Sequence, residues 1–527
     1  MQTNEWDAVV IGGGVAGLSA AQMLGRARRR TLVIDGGAPR NRFAAHMHGV
    51  LGHDGVDPAD LLARGRREVE AYGAVVVSDE VTDVSERGDG LRITRRSGAV
   101  DHARAVVVTA GVRDHLPDVD GLEEWWGSSV LHCPYCHGWE VAARRLAVIA
   151  TSPASLHQIE LVRQWSDEVT AFTADLGPLA PEVSERLTAR GIRLVDRPVR
   201  SVATLDGRLT GLVDDAGTSH PADAVFVAPA PEVAVEFLSG LDLARADLPG
   251  APLAVDALGT TSHPRIWAAG NVTAPFGNVP LSMGAGSMAG AAVNAALVAE
   301  DAVRAVADHR VARAAARNAS WEERYAEGAR FWSGRVNATM AAVVGTLPAR
   351  GTALEIGCGE GADAVWLAEQ GWTVTAIDVS PTAVSRARAA AAERGLTDDQ
   401  VSFSAVDAAD DPPEGSFDLV VSSFLHSWEH DFPRVDILRR AAGRVAPGGR
   451  LLAVSHAAAP PWTNRDEQAH AHPDTPELRT PEQELPLLAL DPAEWTVELA
   501  EVRPREVVAP DGTPAHLDDG VLLLRRA

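Results

Sequence analysis

The stretch Asp7-Ala-Val-Val-Ile-Gly-Gly-Gly-Val-Ala-Gly17 leads from an apolar run into a glycine-rich turn, and an alanine-rich segment follows. This order predicts a buried strand, a tight turn and a helix. Gly12, Gly14 and Gly17 satisfy the pattern G-x-G-x-x-G. In that pattern the first glycine permits the turn, the second lets backbone approach a pyrophosphate, and the third lets helix pack on strand. The segment therefore predicts a nucleotide-binding α/β unit, although a glycine turn without a ligand has the same pattern.

Two later strands extend this unit. The predicted strand Thr31–Ile34 ends in Asp35, at the distance from the turn expected of an acidic residue that holds a ribose hydroxyl. A further apolar run, Ala105–Gly111, also ends on a glycine. Together the three segments predict a Rossmann-like domain.

The stretch Leu131-His-Cys-Pro-Tyr-Cys-His-Gly-Trp-Glu140 holds two of the three cysteines in the chain. Cys133 and Cys136 lie at i and i+3, which brings their sulfurs within disulfide reach on the first turn of a helix, where a thiolate is favoured. We interpret them as a redox-active pair. His132 and His137 flank the pair and could move its protons, or could simply bond backbone.

Two other uses of the cysteine pair are possible. Half a zinc site would need a second pair of ligands, and the third cysteine lies in a separate motif far downstream. A structural staple is disfavoured because the chain shows no secretory signal. We therefore predict no metal site.

Composition excludes several classes of protein. A length of 527 residues predicts three or four domains. A net charge of -24 argues against nucleic acid or an anionic membrane as partner. All 48 cationic side chains are arginine, which excludes Schiff-base lysine chemistry. The few cysteines fit a reducing cytoplasm, which is the expected location. The apolar start lacks the basic region of a signal peptide, and no run reaches the length of a membrane-spanning helix.

A late motif makes a family resemblance specific. The run Arg265–Val272, Arg-Ile-Trp-Ala-Ala-Gly-Asn-Val, precedes the glycine-rich stretch Gly284–Gly290 and an alanine-rich helix. With the glycine turn and the cysteine pair, it resembles the thioredoxin reductase family of flavoproteins. The Cys-Pro-Tyr-Cys-His-Gly-Trp-Glu version is most similar to the dithiol oxidases that close disulfides in microbial natural products.

The resemblance implies a discontinuous FAD domain, residues 1–114 and 248–300, and an inserted NAD(P)H-type domain, residues 115–247, that carries the cysteines. It also implies that Cys136 faces the isoalloxazine, that Cys133 exchanges with substrate, and that the chain forms a homodimer. Asn271 replaces the acidic residue of the family but can still hydrogen-bond a hydroxyl. The expected FAD-binding residues are Gly12, Gly14, Gly17, Asp35, Gly270 and Asn271.

One departure from the family concerns the electron donor. Thioredoxin reductases carry a second G-x-G-x-x-A turn for NADPH in the inserted domain. The corresponding stretch here, Leu146–Leu156, lacks every expected glycine and contains Pro153, which removes an amide donor. No arginine cluster follows the next strand, Glu168–Phe172. NAD(P)H binding is therefore disfavoured, and we expect a substrate dithiol to supply electrons and O2 to accept them.

The composition of the chain changes after residue 300. Residues 301–319 are rich in alanine and charge, and predict a semi-rigid helical linker. A new domain, residues 320–527, opens with a helical stretch that contains Tyr325, Phe331 and Trp332. Aromatic residues at such spacing usually pack in a core, and the alternative is that they line a ligand site.

A second glycine turn follows. The stretch Ala353–Gly361 and the strand that ends in Asp378 resemble class I S-adenosylmethionine-dependent methyltransferases, in particular the tellurite-resistance and thiopurine types. The resemblance implies that Cys358 is a packed motif residue. It also implies an acceptor site near His426, Trp428 and His430, although this loop could be ordinary surface. Residues 460–486 read as a lid over that site or as disordered chain. The expected S-adenosylmethionine-binding residues are Glu355, Gly357, Gly359, Gly361, Asp378 and Asp407.

The predicted fold is therefore α/β: a two-domain thioredoxin reductase-like flavoprotein followed by a Rossmann-like methyltransferase. We expect a bifunctional enzyme that uses FAD and S-adenosylmethionine, oxidises a small-molecule dithiol, and S-methylates a thiol. The substrate is a small dithiol or disulfide, with neither nucleic acid nor membrane as partner. Three alternatives remain open: a NADPH-dependent disulfide reductase, an enzyme that reduces and methylates tellurium or selenium species, and a decayed flavin domain that dimerises a methyltransferase.

Overall fold

The computed structural model describes residues 4–347, 350–409, 413–426, 432–462 and 478–527. The chain divides into two compact units, Met1–Arg304 and Ala305–Ala527. Each unit has its own sheets and its own hydrophobic cores. The predicted α/β class is confirmed for both.

The first unit is built on seventeen described strands. In chain order they are β1 (Glu5–Ile11), β2 (Thr31–Asp35), β3 (Val75–Ser78), β4 (Val81–Arg87), β5 (Gly90–Arg95), β6 (Val100–Val108), β7 (Val112–His115), β8 (Val130–Leu131), β9 (Leu146–Ile149), β10 (Val169–Phe172), β11 (Arg193–Val195), β12 (Val199–Leu205), β13 (Arg208–Asp214), β14 (Ser219–Pro221), β15 (Ala224–Val227), β16 (Ala230–Val233) and β17 (Ile266–Ala268). The α-helices that begin in this unit are α1 (Val15–Arg26), α2 (Pro58–Ala71), α3 (Pro134–His137), α4 (Ser155–Val162), α5 (Pro181–Ala189) and α6 (Val279–Ala326).

The first sheet runs β3-β2-β1-β6-β5-β4, and β17 pairs with β6. The strands β3, β2, β1, β6 and β17 are parallel, whereas β4, β5 and β6 pair antiparallel. Ala8 to Ile11 of β1 are buried on both faces, as a central parallel strand requires. The strand β17 returns to this sheet after the chain has built a second one.

The second sheet, β11-β10-β9-β15-β8, is parallel throughout. A small antiparallel sheet, β12-β13-β14, follows β11. Strand β7 leads towards the second sheet and pairs antiparallel with β16, which leads back. The inserted region is therefore entered and left through one two-stranded ribbon.

Helix α6 is 48 residues long and continues from the first unit into the second. A Cβ on Gly286 would lie 2.0 Å from the backbone oxygen of Ala16, so this stretch packs closely on α1. An 18-residue window of α6 has mean hydropathy 1.4, which by length and composition suffices to cross a membrane, and a third of that window is buried. The expectation that no run reaches the length of a membrane-spanning helix is therefore wrong for this window.

The second unit has one mixed sheet, β20-β19-β18-β21-β22-β24-β23. Its strands are β18 (Thr352–Ile356), β19 (Thr373–Asp378), β20 (Val401–Ala405), β21 (Phe417–Ser423), β22 (Val445–His456), β23 (Trp495–Val508) and β24 (Pro514–Arg526). Its further described α-helices are α7 (Ala338–Val344), α8 (Ala362–Glu369), α9 (Pro381–Glu393), α10 (Arg434–Ala442) and α11 (Pro481–Glu484). Strands β18 to β22 are parallel, so their carboxyl ends share one edge of the sheet.

Candidate active sites

The glycine turn after β1 is shaped by close backbone contacts. Gly12 has φ +110°, and a Cβ there would lie 2.4 Å from the backbone oxygen of Thr109. A Cβ on Gly17 would lie 1.9 Å from the backbone oxygen of Gly12. A Cβ on Gly14 would meet nothing within 4 Å, because Gly14 faces open space at the start of α1. Gly12 and Gly17 therefore serve packing, and Gly14 leaves room for a ligand.

Asp35 ends β2 beside this turn. Its carboxylate accepts hydrogen bonds from the amides of Gly13, at 3.3 Å, and Gly37, at 3.0 Å. It also forms an ion pair with Arg66 of α2. Arg66 was not predicted from the sequence, because no motif marks α2. The buried carboxylate is fixed at the place where a ribose would bind.

One cavity of about 1630 Å³ gathers the predicted flavin and cysteine residues of the first unit. The predicted residues that line it are Gly12, Gly14, Asp35, His132, Cys133, Cys136, His137, Gly270 and Asn271. Gly17 does not line it. The cavity, the open face at Gly14 and the fixed carboxylate at Asp35 fit a dinucleotide such as FAD. The amide of Asn271 donates to the backbone oxygens of Ala274, at 3.0 Å, and Gly277, at 2.8 Å, so it also holds the adjacent turn.

The cysteine pair lies at the start of the short helix α3. Cys133 is the N-cap residue, Pro134 takes the first helical position, and the amide of Cys136 donates to the backbone oxygen of Cys133 at 3.1 Å. A disulfide joins the two cysteines, whose Cα atoms are 5.2 Å apart. Both line the cavity, so a thiol in the cavity can reach them.

The two flanking histidines are partly buried. Burial, with the nearby charge of Arg40 as a second cause, lowers the pKa of His132. Burial also lowers the pKa of His137, although Glu140 acts in the opposite direction. Both imidazoles are therefore neutral near pH 7 and able to accept a proton.

Two residues that no motif marks also shape this cavity. His48 lies 3.2 Å from a carboxylate oxygen of Asp54 and 3.3 Å from one of Glu140, which ties its loop to the cysteine motif. Arg40 donates twice to Asp114, each time at 2.7 Å. The only available signal was the density of histidine between residues 46 and 53.

The loop after β9, where a thioredoxin reductase would hold NADPH, is closed by its own side chains. The buried hydroxyl of Ser155 accepts the amides of Thr151, at 3.2 Å, and Ser152, at 3.4 Å. The hydroxyl of Thr151 donates to the backbone oxygen of Ala228 at 2.9 Å. The amides that would bind a pyrophosphate therefore already have an acceptor. Beyond β10, the exposed Asp175 carries a charge that would repel a phosphate.

In the second unit, the glycine turn after β18 is left-handed at three positions. Gly357, Gly359 and Gly361 have φ of +74°, +52° and +83°. A Cβ on Gly361 would lie 2.7 Å from the Cβ of Ala387. A Cβ on Gly359 would lie 3.0 Å from the hydroxyl of Tyr325. The turn thus needs glycine for both conformation and space.

Buried carboxyl groups surround this turn. Asp378 accepts the amides of Gly359, at 2.9 Å, and Ser380, at 3.0 Å. Glu355 is buried, and one of its oxygens has no partner among the described residues. Burial raises the pKa of Glu355 well above its usual value, and it also raises those of Asp363 and Asp378. A buried oxygen without a partner at a glycine turn fits S-adenosylmethionine, whose polar groups would complete its hydrogen bonding.

Cys358, within the turn, is buried, and burial raises the pKa of its thiol well above the usual value. The thiol stays protonated, so this cysteine is a packed residue and not a nucleophile.

Asp407 is held by helix α6. Arg317 and Asn318 both donate hydrogen bonds to the same carboxylate oxygen of Asp407, each at 2.9 Å. The side chains of Arg317 and Asp407 are 8% and 10% exposed. Both donors lie in the segment 301–319 that was predicted as a linker. That segment therefore supplies contacts to the second unit.

The aromatic residues of the opening stretch contact the glycine turn. Tyr325 is buried, and its hydroxyl accepts a hydrogen bond from the Trp332 indole at 2.9 Å. The carboxylate of Glu360 accepts the amides of Phe331 and Trp332, both at 3.0 Å. The rings of Phe331 and Trp332 are exposed. The stretch is thus anchored by one core residue and presents two exposed rings beside the turn.

The predicted acceptor region is described in part. His426 follows β21, and its ring stacks on that of His456 with centroids 5.4 Å apart. Trp428 and His430 lie outside the described residues, as do residues 463–477 of the predicted lid. His456, at the end of β22, was missed because it stands alone in the sequence.

Comparison with known proteins agrees with this geometry. Residues 6–296 match the family described as Pyridine nucleotide-disulphide oxidoreductase, and residues 353–449 match that described as Methyltransferase domain. The thioredoxin reductase tcpT of Claviceps purpurea is 30% identical over 310 residues, which cover 56% of this chain and 96% of that protein. The probable thioredoxin reductase of Arthroderma benhamiae is 34% identical over 176 residues, which cover 32% of this chain and 44% of that protein.

Solved structures give the same result. The crystal structure of HlmI has a TM-score of 0.56 and 41% identity, covering 59% of this chain and 97% of that chain. An oxidoreductase from Agrobacterium tumefaciens has a TM-score of 0.53 and 35% identity, covering 56% of this chain and 99% of that chain.

The first unit is thus a thioredoxin reductase-like oxidoreductase. The chain belongs to the pyridine nucleotide-disulphide oxidoreductase family, and it carries in addition a class I methyltransferase domain. Both parts indicate enzymatic activity. The family implies a flavin cofactor, and the methyltransferase domain implies S-adenosylmethionine.

Proposed function

We propose that this chain is a bifunctional enzyme that oxidises a small-molecule dithiol to a disulfide in its first unit and S-methylates a small-molecule thiol in its second. The observation that carries the first activity is the closed loop after β9. Ser155 takes the amides of Thr151 and Ser152, which leaves a nicotinamide dinucleotide without its phosphate donors. Electrons must then enter at the disulfide.

The cysteine pair performs the exchange. A substrate thiolate attacks Cys133, whose bond to Cys136 breaks, and the second substrate thiol displaces Cys133 to leave a reduced pair. His137 and His132, both neutral, accept the protons that the substrate thiols release. Gly14, Asp35 and Asn271 would help to hold FAD in the cavity, and FAD would supply a two-electron acceptor for the reduced pair, with O2 as the final acceptor and hydrogen peroxide as product.

The proposal of the second activity rests on the glycine turn after β18 and on the presence of both units in one chain. Methyl transfer from a sulfonium needs alignment and an unprotonated nucleophile. Glu355, Asp378 and the glycine turn would hold the donor. A dithiol made available to the first unit is also a soft nucleophile for the second, so one compound would have two fates, closure or S-methylation.

Both relatives named above are called thioredoxin reductases, which favours a second candidate, a disulfide reductase that takes its electrons from NADPH. The two candidates differ in which electron donor reaches the flavin.

The test is anaerobic. The purified holoprotein is mixed with NADPH, NADH or dithiothreitol in separate cuvettes, and the visible absorbance of the flavin is followed. We expect dithiothreitol alone to bleach it, air to restore it, and the Cys136→Ser variant to stay yellow with dithiothreitol. Rapid bleaching by NADPH would instead establish the reductase.

A further inference from the structure

The carboxyl ends of β21 and β22 bring together three aromatic rings. The ring of His456 lies 4.2 Å from that of Phe424, with an interplanar angle of 19°, and 5.4 Å from that of His426, with an angle of 11°. All three side chains are partly exposed. The three rings therefore stack nearly parallel to one another, and part of each side chain is exposed; we call this stack of Phe424, His426 and His456 the wall.

This wall adjoins the site of the methyl donor. Strands β18, β21 and β22 are parallel and adjacent, so His456 ends on the edge of the sheet from which the glycine turn projects. A Cβ on Gly357 would lie 2.8 Å from the Cδ1 of Leu425, which connects the turn to the residue between Phe424 and His426. The wall is thus positioned where a methyl acceptor would lie.

The backbone supports the same conclusion. Phe424 has φ +52°, a left-handed conformation that a bulky residue rarely adopts. Its amide donates to the backbone oxygen of Val454 at 2.8 Å, which holds the strained residue against β22. Strain of this kind persists where the surrounding structure fixes a functional geometry.

Hydrogen bonding distinguishes the two histidines. The Nε2 of His426 accepts the backbone amide of His456 at 3.3 Å, so its lone pair is used. The ring nitrogens of His456 have no hydrogen-bond partner within the described parts of the chain. His456 is therefore the imidazole that can receive a proton.

Charged groups from three elements face His456. Burial lowers its pKa, Arg505 of β23 and Arg434 of α10 lower it further, and Asp519 of β24 raises it. Asp519 is itself held by Arg505 at 2.8 Å and by the hydroxyl of Thr339 at 2.7 Å. His456 is consequently neutral near pH 7.

We propose that His456 is the general base of the methyltransferase unit, and that His426 and Phe424 position it. The inference rests on the proposed S-methylation. The S–H bond of the acceptor breaks and its proton moves to His456, while the sulfur electron pair forms the new S–CH3 bond. The CH3–S bond of S-adenosylmethionine breaks, its electron pair stays on S-adenosylhomocysteine, and the imidazolium returns the proton to solvent.

The test compares two thiols at about pH 7.5. Benzyl mercaptan is mostly protonated there, whereas thiophenol is mostly thiolate. We expect His456→Gln to slow methylation of benzyl mercaptan by roughly 100-fold or more, and to change that of thiophenol only a few-fold. His456→Asn should behave alike, and His516→Gln, an exposed histidine of β24, is the matched control.

A second readout needs no turnover. With S-adenosylhomocysteine bound, the ultraviolet absorbance of benzyl mercaptan thiolate is followed against pH, and the variant should require a higher pH to form it. Binding of S-adenosylhomocysteine, measured by calorimetry, verifies that each variant is folded. If His456→Gln slowed methylation of both thiols equally, or of neither, His456 would not be the general base, and the proposed S-methylation would still stand. Failure of the wild-type protein to methylate any thiol would overturn the proposed function as well.

Discussion

Two histidines of the second unit are kept uncharged by their surroundings. Burial, together with the charge of Arg434, lowers the pKa of His426 to about 3, and burial lowers that of His456. An unfolded histidine has a pKa near 6.5. Between these values the unfolded chain binds a proton that the folded chain does not, so folding stability declines as the pH falls.

This difference predicts a pH-dependent effect of His426→Gln. In the wild type, His426 makes the free energy of unfolding fall by at most about 1.4 kcal/mol per pH unit below pH 6.5. The variant should lack this contribution to the pH dependence. The variant should therefore gain stability relative to wild type as the pH falls from about 7 to about 5. Calorimetric unfolding of the second unit at several pH values measures this, with His516→Gln as control. A difference that stays constant with pH would contradict the stated pKa.

At the scale of residues, the sequence predicted the site residues that belong to recognisable motifs. The glycines, the cysteine pair and the acids that end β2 and β19 were predicted because turn geometry and strand ends constrain them. Arg66, Ser155 and His456 were missed because each acts through a partner that is distant in the chain or that no motif marks. Their roles exist only once the fold has formed.

At the scale of elements, α6 departs most from expectation. Its charged, glycine-free segment predicted a spacer, and the helix is continuous there. The sequence could not show that Arg317 would be buried, since the partner that buries it, Asp407, is 90 residues away. Because Arg317 is buried and paired with one carboxylate, this part of α6 packs against the rest of the second unit and is not a solvent-exposed spacer.

The element therefore predicts a stability effect. Arg317→Gln leaves the carboxylate of Asp407 without its countercharge, which costs roughly 3 kcal/mol for a buried pair. We expect the calorimetric midpoint of the second unit to fall. Arg310→Gln, on an exposed position of the same helix, is the matched control and should have little effect. Equal midpoints for the two variants would show that the pair adds nothing to stability.

At the scale of the whole molecule, the chain is two compact units with separate sites. Their activities should therefore be separable by single substitutions. Cys136→Ser should abolish flavin reduction by a dithiol and leave S-adenosylmethionine binding unchanged. Asp378→Asn should weaken that binding by roughly tenfold or more, because one carboxyl oxygen that can accept a hydrogen bond is replaced by an amide NH2, and should leave flavin reduction unchanged. Calorimetry and anaerobic absorbance measure the two effects, and a cross effect would reveal coupling.

The buried carboxyls around the second glycine turn have a consequence for turnover. Burial raises the pKa of Glu355, Asp363 and Asp378, so the ionised forms of these carboxyls are disfavoured in the empty turn. A sulfonium brings a positive charge that favours their ionised forms, so its binding opposes the effect of burial on these pKa values. The demethylated product is a neutral thioether and loses that attraction. Carboxyls around the turn would therefore favour the charged donor over the neutral product, which would help the spent donor to leave.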